Sequence, residues 1–424
     1  MKAYKRRVDH SWDFPGVDTK EFTHCFHSYP AMMIPQIARR LIAEYKPRYC
    51  QSLLDPYCGS GTSLVEGMLA KLRVYGFDLN PLAIFISLAK TTKWVQPEGA
   101  VDTIKKRTEL LKELIDQYDP KKVKYNDFSM VTNADYWFSE DVLLKLGWIM
   151  ENIYKIGGWA TSFFMVCLAE TVRDVSFTRN GEFKRYRMPE DKIKSWNPDV
   201  FKIFFDKVER NYQGAKAMRE KIGPEFPGRL VEVGNSCNLP ERFIKNHMFD
   251  MVVTSPPYGD SRTTVAYGEF SRLANEFLDL DYQAKEAGKL DKKLMGGTKQ
   301  DECLFETETI CETLERIKSA DEKRYWEVIS FLNDYWKSIN AVSRMVRPGG
   351  VVCYVVGNRT VKGEVIDLDY FTAEMFEKNG FEHIETIVRE FPTKRMPSKN
   401  SPTNKPGVKS STMNNEYIVI LKKK

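Results

Sequence analysis

The chain has 424 residues, of which 42% are hydrophobic and 29% charged, a composition typical of a soluble globular protein with two or three domain-sized units. Its formal net charge of +6 is too small to decide a partner by itself. No apolar run is long enough to span a membrane, the N-terminus lacks a secretory signal, and the cysteines form no Cys-x-x-Cys pair, so the sequence predicts a metal-free protein of the reducing cytoplasm.

The first predicted element is an amphipathic helix over Pro35–Tyr45, which follows the segment His27-Ser28-Tyr29-Pro30. A proline near the first turn of a helix is by itself an ordinary helix entry. Contact of this segment with a ligand is the alternative interpretation, and it depends on the motifs that come later in the chain.

A glycine turn follows the next apolar strand, in the run Asp55-Pro56-Tyr57-Cys58-Gly59-Ser60-Gly61-Thr62. Gly59 and Gly61 allow the backbone to approach a ligand closely, and Thr62 can begin a helix. A third glycine is missing at the spacing of the dinucleotide fingerprint, so the loop alone identifies no ligand. The following strand ends at Asp78-Leu79-Asn80, roughly 20 residues later, where an acid commonly binds ribose hydroxyls.

A long stretch, residues 97–222, then carries helical patterns at 97–118, 138–154, 157–173 and 199–221. Within it, Asn180-Gly181 predicts a hairpin turn in the basic segment 173–187. The cations there alternate with aromatic residues, a mixture that suits phosphates and stacked bases. A solvated hairpin with an aromatic inner face explains the pattern equally well. The candidate nucleic-acid contacts of this segment are Arg179, Lys184 and Arg185.

Two further strands are predicted, one leading to Asn235-Ser236 and one over 249–253 that ends in Ser255-Pro256-Pro257-Tyr258. Because neither proline can donate a backbone hydrogen bond, the second strand stops there. Ligands of open α/β sheets bind at the carboxyl ends of the strands. The Ser255 hydroxyl, the Pro256 carbonyl and the Tyr258 ring would offer two acceptors and an aromatic surface to a flat heterocycle that bears an amino group.

The rest of the chain completes an alternating pattern. Residues 260–320 form an insertion that includes Arg262, a helix over 322–346 leads into a strand at 351–356, and a helix at 369–379 precedes strands at 381–391 and 416–421. The loop 392–415 has cations and no acid. Since the strand before it is predicted to be parallel, the loop begins at the ligand edge, and phosphate contact is favoured over an idle charged loop. Its candidate contacts are Lys394, Arg395, Lys399 and Lys405.

The loop at 55–62 and the tetrapeptide at 255–258 together resemble the motifs of the S-adenosylmethionine-dependent DNA amino-methyltransferases of the Ser-Pro-Pro-Tyr type. The resemblance covers most of the chain outside 97–222 and 275–320. It implies an α/β, Rossmann-like class I methyltransferase fold, with a seven-stranded, mostly parallel sheet, an antiparallel last strand and a mainly helical insertion. The implied units are 1–96 and 223–424 for the two halves of the core, and 97–222 for the insertion, a candidate DNA-recognition region.

The resemblance also implies residue roles. Ser255, Pro256, Pro257 and Tyr258 would be catalytic, with Tyr258 stacked on the target base. Asp55 would approach the methionine end of the cofactor S-adenosylmethionine, and Asp78 its ribose. The implied cofactor contacts are His27, Tyr29, Pro30, Asp55, Pro56, Tyr57, Gly59, Gly61, Thr62, Asp78, Leu79, Asn80, Asn235 and Ser236.

The implied activity is methylation of an exocyclic amine of a base flipped out of double-stranded DNA, in a restriction–modification setting with a cognate endonuclease. Among members of the family that the chain resembles, serine at the position of Ser255 is mainly associated with cytosine N4 and aspartate or asparagine with adenine N6, so the resemblance favours cytosine. An RNA guanine-N2 methyltransferase is a less favoured alternative, because residues 1–48 leave little room for a separate RNA-binding domain. A non-catalytic nucleic-acid-binding protein on the same fold is disfavoured, because both motifs are intact.

Overall fold

The computed structural model describes residues 3–92, 100–124, 127–182, 184–223, 227–244, 248–260, 264–280, 288–390 and 415–424, and the backbone of 399–400 and 410–411. Its strands are β1 (Arg6–Val8), β2 (Ser52–Asp55), β3 (Arg73–Asp78), β4 (Arg229–Val233), β5 (Phe249–Thr254), β6 (Val346–Val356), β7 (Arg359–Val361), β8 (Glu364–Ile366), β9 (Phe381–Glu390), β10 (Lys399–Asn400), β11 (Ser410–Ser411) and β12 (Asn415–Lys423).

An eight-stranded sheet organises the molecule, in the order β1-β9-β12-β6-β5-β2-β3-β4. The strands from β6 to β4 are parallel, whereas β12 is antiparallel to both of its neighbours. The fold class predicted from the sequence is therefore confirmed, including the antiparallel last strand. Strand β9 consequently runs in the direction of β6, and its carboxyl end lies at the same edge as that of β5.

All seven predicted strands form, and β1 joins them as an eighth at the edge, parallel to β9. Its sequence, Arg-Arg-Val, has no apolar alternation that could have indicated a strand. Tertiary contacts hold it instead, because the Arg6 guanidinium lies 2.6 Å from Asp367 and 2.8 Å from Asp369.

Helices cover both faces of the sheet. They are α1 (Pro35–Tyr45), α2 (Thr62–Leu69), α3 (Pro81–Lys90), α4 (Ala100–Ile115), α5 (Ala134–Trp137), α6 (Glu140–Ile156), α7 (Thr161–Asp174), α8 (Glu190–Lys194), α9 (Val200–Ile222), α10 (Glu241–Ile244), α11 (Tyr267–Phe277), α12 (Leu290–Lys293), α13 (Cys311–Ala320), α14 (Glu322–Met345) and α15 (Leu368–Glu377). Among the described residues, no helix combines the length and apolar character needed to cross a bilayer.

The central strands bury both faces, as parallel strands between two helical layers do. On β6, Val352 and Tyr354 pack into one apolar core, while Cys353 and Val355 pack into the other. The core of Cys353 also receives α1, α2, α3 and the large helices of the insertion, so the predicted helical stretch 97–222 shares its apolar core with the sheet. Helices α14 and α15 pack on the opposite face.

Lys90, at the end of α3, is fully buried, and its Nζ has no hydrogen-bond partner among the described residues. Burial lowers its pKa from 10.5 to about 8. From pH 8 to 10.5 the unfolded chain therefore holds a proton that the folded chain lacks, so stability rises with pH there, and the full cost of the charge is present below pH 8.

We expect Lys90→Met to raise the free energy of unfolding at pH 7 by roughly 3 kcal/mol, because it removes this buried charge. Denaturant unfolding measures the change, and the gain should shrink as the pH approaches the ordinary lysine value. Lys202→Met is the matched control, since Lys202 is 68% exposed. A less stable Lys90→Met protein would mean that the ammonium group has a favourable partner.

Candidate functional site

A cleft of about 440 Å³ opens at the carboxyl ends of β2, β3, β4 and β5. Its volume lies in the range of small-ligand pockets, roughly 300–1,000 Å³. The cleft brings together most of the cofactor and catalytic residues predicted from the sequence. Those that line it are Tyr29, Pro30, Asp55, Pro56, Tyr57, Gly59, Thr62, Asp78, Leu79, Asn235, Ser236, Ser255 and Pro257.

Asp55 ends β2 and is buried at the floor of the cleft. Its Oδ1 accepts hydrogen bonds from the Thr254 hydroxyl at 2.6 Å and from the Tyr57 amide at 3.1 Å. Burial raises the pKa of Asp55 to about 6, although these hydrogen bonds oppose the shift. A buried acid at this position favours a cationic ligand, since a positive charge would stabilise the carboxylate.

Asp78 ends β3 and holds the glycine turn in place. Its carboxylate accepts the Gly59 amide at 3.0 Å and the Asn80 amide at 2.8 Å. Burial raises the pKa of Asp78 to about 6 as well. Both acids therefore lie in one cleft, where backbone amides and, for Asp55, the Thr254 hydroxyl hold them in place.

The two glycines of the turn are required for different structural reasons. Gly59 has a φ of +47° and lines the cleft, where Tyr29 covers it. Gly61 has a φ of +82° at the start of α2, and a Cβ there would lie 2.8 Å from the Ser87 hydroxyl. Gly61 therefore allows α2 to pack against α3 and does not itself line the cleft, in contrast to its predicted role.

Two other predicted cofactor residues lie behind the cleft wall. His27 is buried, with Nδ1 against the Ser28 carbonyl oxygen. Asn80 caps α3, and its amide donates to the Tyr29 hydroxyl at 2.8 Å and to the Ser271 hydroxyl at 2.6 Å. Asn80 therefore positions Tyr29, and neither His27 nor Asn80 is among the residues that line the cleft.

The predicted catalytic tetrapeptide follows β5. Ser255 and Pro257 line the cleft, whereas Pro256 is buried and Tyr258 is not among the lining residues. The Tyr258 hydroxyl lies 3.1 Å from Ser255 Oγ and donates to Glu416 Oε1 at 2.8 Å. The role of the Tyr258 ring as a stacking surface for the base stays a prediction, and Glu416 is a neighbour that no local sequence pattern indicated.

One wall of the cleft comes from residues 292–300 and from α14, for which the sequence predicted no role in the cleft. Residues 292–295, Thr298 and Gln300 line it together with Asp334 and Lys337 of α14. The Gly296 amide donates to Asp334 Oδ2 at 3.0 Å, which ties this wall to the helix. The lysines Lys292, Lys293 and Lys337 place positive charge in the wall.

The basic segment 173–187 is only partly a hairpin. A turn forms at Asn180-Gly181, where the Glu182 amide donates to the Arg179 carbonyl oxygen at 3.2 Å. Among the described residues of this segment, the strand pairing is limited to one bridge between Thr178 and Arg187. Other bonds compete for the backbone, since the Arg185 amide donates to Glu269 of α11 at 3.1 Å. The segment thereby packs on the helix whose first residue, Tyr267, lines the cleft.

Several cations of this segment have structural roles. Arg173 is buried, lies 4.3 Å from the Phe270 ring centroid and donates to the Glu182 carbonyl oxygen at 2.7 Å. Arg185 lies 4.4 Å from the Trp137 ring centroid, and burial lowers its pKa. Arg179, by contrast, is 50% exposed, and Lys184 is half-buried. Arg179 is therefore the predicted nucleic-acid contact with the most accessible guanidinium in this segment.

Strand β9, which precedes loop 392–415, ends at the same edge of the sheet as β5, because β12 is antiparallel to both β9 and β6. Lys399 belongs to β10, which pairs with β11, and only its backbone is described. The predicted contacts Lys394, Arg395 and Lys405 lie outside the described residues, as does Arg262.

Comparison with known proteins places these observations in a family. The UPF0020 model (RMKL-like, methyltransferase domain) matches residues 23–118, which include the glycine turn and Asp78. The chain is 41% identical over 425 residues to the type II methyltransferase M.MvaI of Kocuria varians, with 96% of this chain and 93% of that protein covered.

More distant matches are also found. Type II methyltransferase M.BsoBI of Geobacillus stearothermophilus is 21% identical over 418 residues, with 85% of this chain and 79% of that protein covered. Among solved structures, the rRNA methyltransferase aviRa from Streptomyces viridochromogenes is 8% identical and covers 94% of this chain and 88% of its own, with a TM-score of 0.36, a likeness that carries no argument. The near full-length match at 41% identity decides the family. This chain belongs to the type II methyltransferases.

Proposed function

We propose that this protein is a site-specific DNA methyltransferase that methylates the exocyclic N4 amine of a cytosine flipped out of double-stranded DNA, with S-adenosylmethionine as methyl donor. The observation that carries the proposal is that Ser255 lines one cleft together with the buried Asp55 and the half-buried Asp78. A hydrogen-bond acceptor for the target amine, Ser255, and two acids that suit a cationic cofactor thus line the same cavity.

The charge of the cleft suits the cofactor. Asp78 would accept the ribose hydroxyls, and Asp55 would lie towards the positively charged methionine end. Among the described residues, no basic side chain pairs with either carboxylate, and burial raises the pKa of both to about 6. Gly59 allows close approach of the backbone, and Asn235 with Ser236 would border the adenine. The cofactor supplies an electrophilic methyl group when it is bound there.

The residues of the tetrapeptide would then hold the cytosine base, whose amine receives the methyl group. The exocyclic amine of cytosine is a poor nucleophile, because its lone pair is delocalised into the ring. Ser255 Oγ and the Pro256 carbonyl oxygen would accept its two N–H groups and stabilise the positive charge that develops on nitrogen. The base cannot reach the cleft from within a duplex, so flipping is required.

The setting of the reaction is extended from the family. Two relatives bear the name type II methyltransferase. We infer for this chain a double-stranded DNA substrate, a cognate restriction endonuclease that acts on the same site, and a cytoplasmic location.

The decisive experiment identifies the product. The protein is incubated with plasmid DNA and a cofactor that carries an isotopically labelled methyl group, the DNA is digested to nucleosides, and the labelled nucleoside is identified by mass. N4-methylcytosine is the expected product. Labelled N6-methyladenine would mean that the protein methylates adenine instead of cytosine. If the plasmid DNA contains every short recognition sequence and its digest contains no labelled nucleoside, the proposal is overturned.

Site recognition should depend on Arg179, because its accessible guanidinium can read guanine edges. We expect Arg179→Gln to lower the ratio of cognate to non-cognate DNA affinity by roughly 5- to 150-fold, the equivalent of one bidentate base contact of about 1–3 kcal/mol. Lys202→Gln on α9 is the control for loss of an exposed, ion-paired cation.

Binding titrations at several salt concentrations, with cognate and unrelated DNA, test this expectation. Loss of Lys399 and Lys405 should instead weaken binding to both DNAs and flatten the salt dependence, because loop 392–415 is predicted to contact phosphates. An unchanged affinity ratio in Arg179→Gln would move recognition to another segment.

A further inference from the structure

Hydrogen bonds connect Ser255 and Tyr258 of the tetrapeptide to a buried ion pair formed by Glu416 and Arg389. Ser255 Oγ lies 3.1 Å from the Tyr258 hydroxyl, which donates to Glu416 Oε1 at 2.8 Å. Glu416 in turn pairs with Arg389, its register partner on β9. The two charged side chains are nearly inaccessible, with side-chain exposures of 4% for Arg389 and 10% for Glu416. The chain of contacts therefore runs from the cleft to a fixed point inside the sheet.

The direction of each hydrogen bond in this chain follows from counting protons. A carboxylate has no proton to donate, so Tyr258 must be the donor to Glu416. Burial, and then the charge of Glu416, raises the pKa of the Tyr258 phenol well above its ordinary value, so the phenol keeps this proton. A hydroxyl has one proton, so in the Ser255–Tyr258 contact the donor is Ser255. The proton of Ser255 then points away from the cleft.

A serine hydroxyl is otherwise ambivalent, because it both donates and accepts. A hydroxyl whose proton pointed into the cleft would oppose an amine that must present its own N–H groups. We propose that Glu416 is a positioning residue that orients the Ser255 hydroxyl through Tyr258, so that Ser255 Oγ faces the target amine as an acceptor only. This inference rests on the proposed amine methylation, for either cytosine or adenine.

Arg389 explains why Glu416 acts as a fixed acceptor and not as the base that removes the amine proton. Besides its pair with Glu416, Arg389 donates to the carbonyl oxygens of Trp12 at 2.8 Å and Asp13 at 3.1 Å. Protonation of Glu416 would remove the negative charge of this buried ion pair, which is costly. The carboxylate therefore keeps its orientation role through each turnover.

The test is a double-mutant cycle of Tyr258→Phe and Glu416→Gln, read by single-turnover methylation of cognate DNA. Tyr258→Phe keeps the ring and the ion pair but breaks the chain. Glu416→Gln can place an amide N–H towards Tyr258 and reverse every hydrogen bond in the chain. We expect each variant to lower the rate by roughly tenfold or more, as for loss of a hydrogen bond to a charged group, while cofactor affinity stays within twofold of wild type.

The cycle distinguishes orientation from general support of the sheet. Since Glu416 acts through Tyr258, Glu416→Gln should have no further effect on the rate in the Tyr258→Phe background. Multiplied losses in the double variant, or a wild-type rate in Tyr258→Phe, would overturn the inference. If Glu416→Gln fails to fold, Tyr258→Phe alone still decides, because it leaves the Arg389–Glu416 pair intact. Failure of the proposed function differs from all of these outcomes, because wild-type protein would then label no amine.

Discussion

Replacing Ser255 with alanine is expected to lower the single-turnover rate of DNA methylation by roughly 10²–10³-fold, the effect of removing one hydrogen bond that forms fully only in the transition state. The motivation is its place at the cleft edge after β5, with its hydroxyl next to Tyr258. The amine gains positive charge as it is methylated, so the acceptor matters more in the transition state than in the bound ground state. Cofactor and DNA affinities should therefore change little.

The measurement pairs rapid-quench kinetics with calorimetric titration of the cofactor. Ser319→Ala is the matched control, since the Ser319 hydroxyl on α13 donates only to the Glu315 carbonyl oxygen and is exposed. A rate within a few-fold of wild type in Ser255→Ala would remove Ser255 from the reaction. An equal loss of cofactor affinity would instead place its role in binding.

The parts of this molecule that the sequence predicted are those determined by local patterns. Helix α1 spans Pro35–Tyr45 as expected, because a proline at its first turn and an apolar stripe mark it. The apolar strands and the two prolines after β5 likewise placed Ser255 at the ligand edge of the sheet. In each of these cases, neighbours in the sequence carry the information.

The missed features all come from pairs of residues that are far apart in the chain. Tyr258 donates a hydrogen bond to Glu416, which lies 158 positions later in the sequence, and Arg6 donates to Asp369, which lies 363 positions later. The cleft wall at 292–300 is likewise fixed by contacts with α14. The cation-rich pattern at 173–187 misled in part for the same reason, because the aromatic partners of Arg173 and Arg185 lie outside that segment. Composition alone cannot distinguish a guanidinium packed on a ring from one exposed to DNA.

Asp78→Asn is expected to weaken binding of S-adenosylmethionine by roughly 10- to 100-fold, because hydrogen bonds to a charged acceptor are worth about 1.5–3 kcal/mol. The carboxylate lines the cleft and is already held by the Gly59 and Asn80 amides. Because burial raises the pKa of Asp78 to about 6, wild-type affinity should also fall as the pH drops through 6, and this pH dependence should be weaker in the variant. Calorimetry over this pH range measures both effects, with the exposed Asp206→Asn as control.

The stability of the same variant without cofactor separates a ligand-binding acid from a structural one. A carboxyl group whose pKa is raised from 3.8 to about 6 contributes full stability below pH 3.8, and that contribution is lost as the pH rises through 6. At neutral pH the ionised Asp78 therefore opposes folding. An asparagine amide removes this charge, but its NH2 group would replace one of the two carboxylate oxygens that accept the Gly59 and Asn80 amides. If Asp78→Asn unfolds at lower denaturant while cofactor affinity is unchanged, the acid serves the glycine turn alone. If Asp78→Asn binds the cofactor more weakly but is at least as stable as wild type, the Asp78 carboxylate serves the ligand and not the fold.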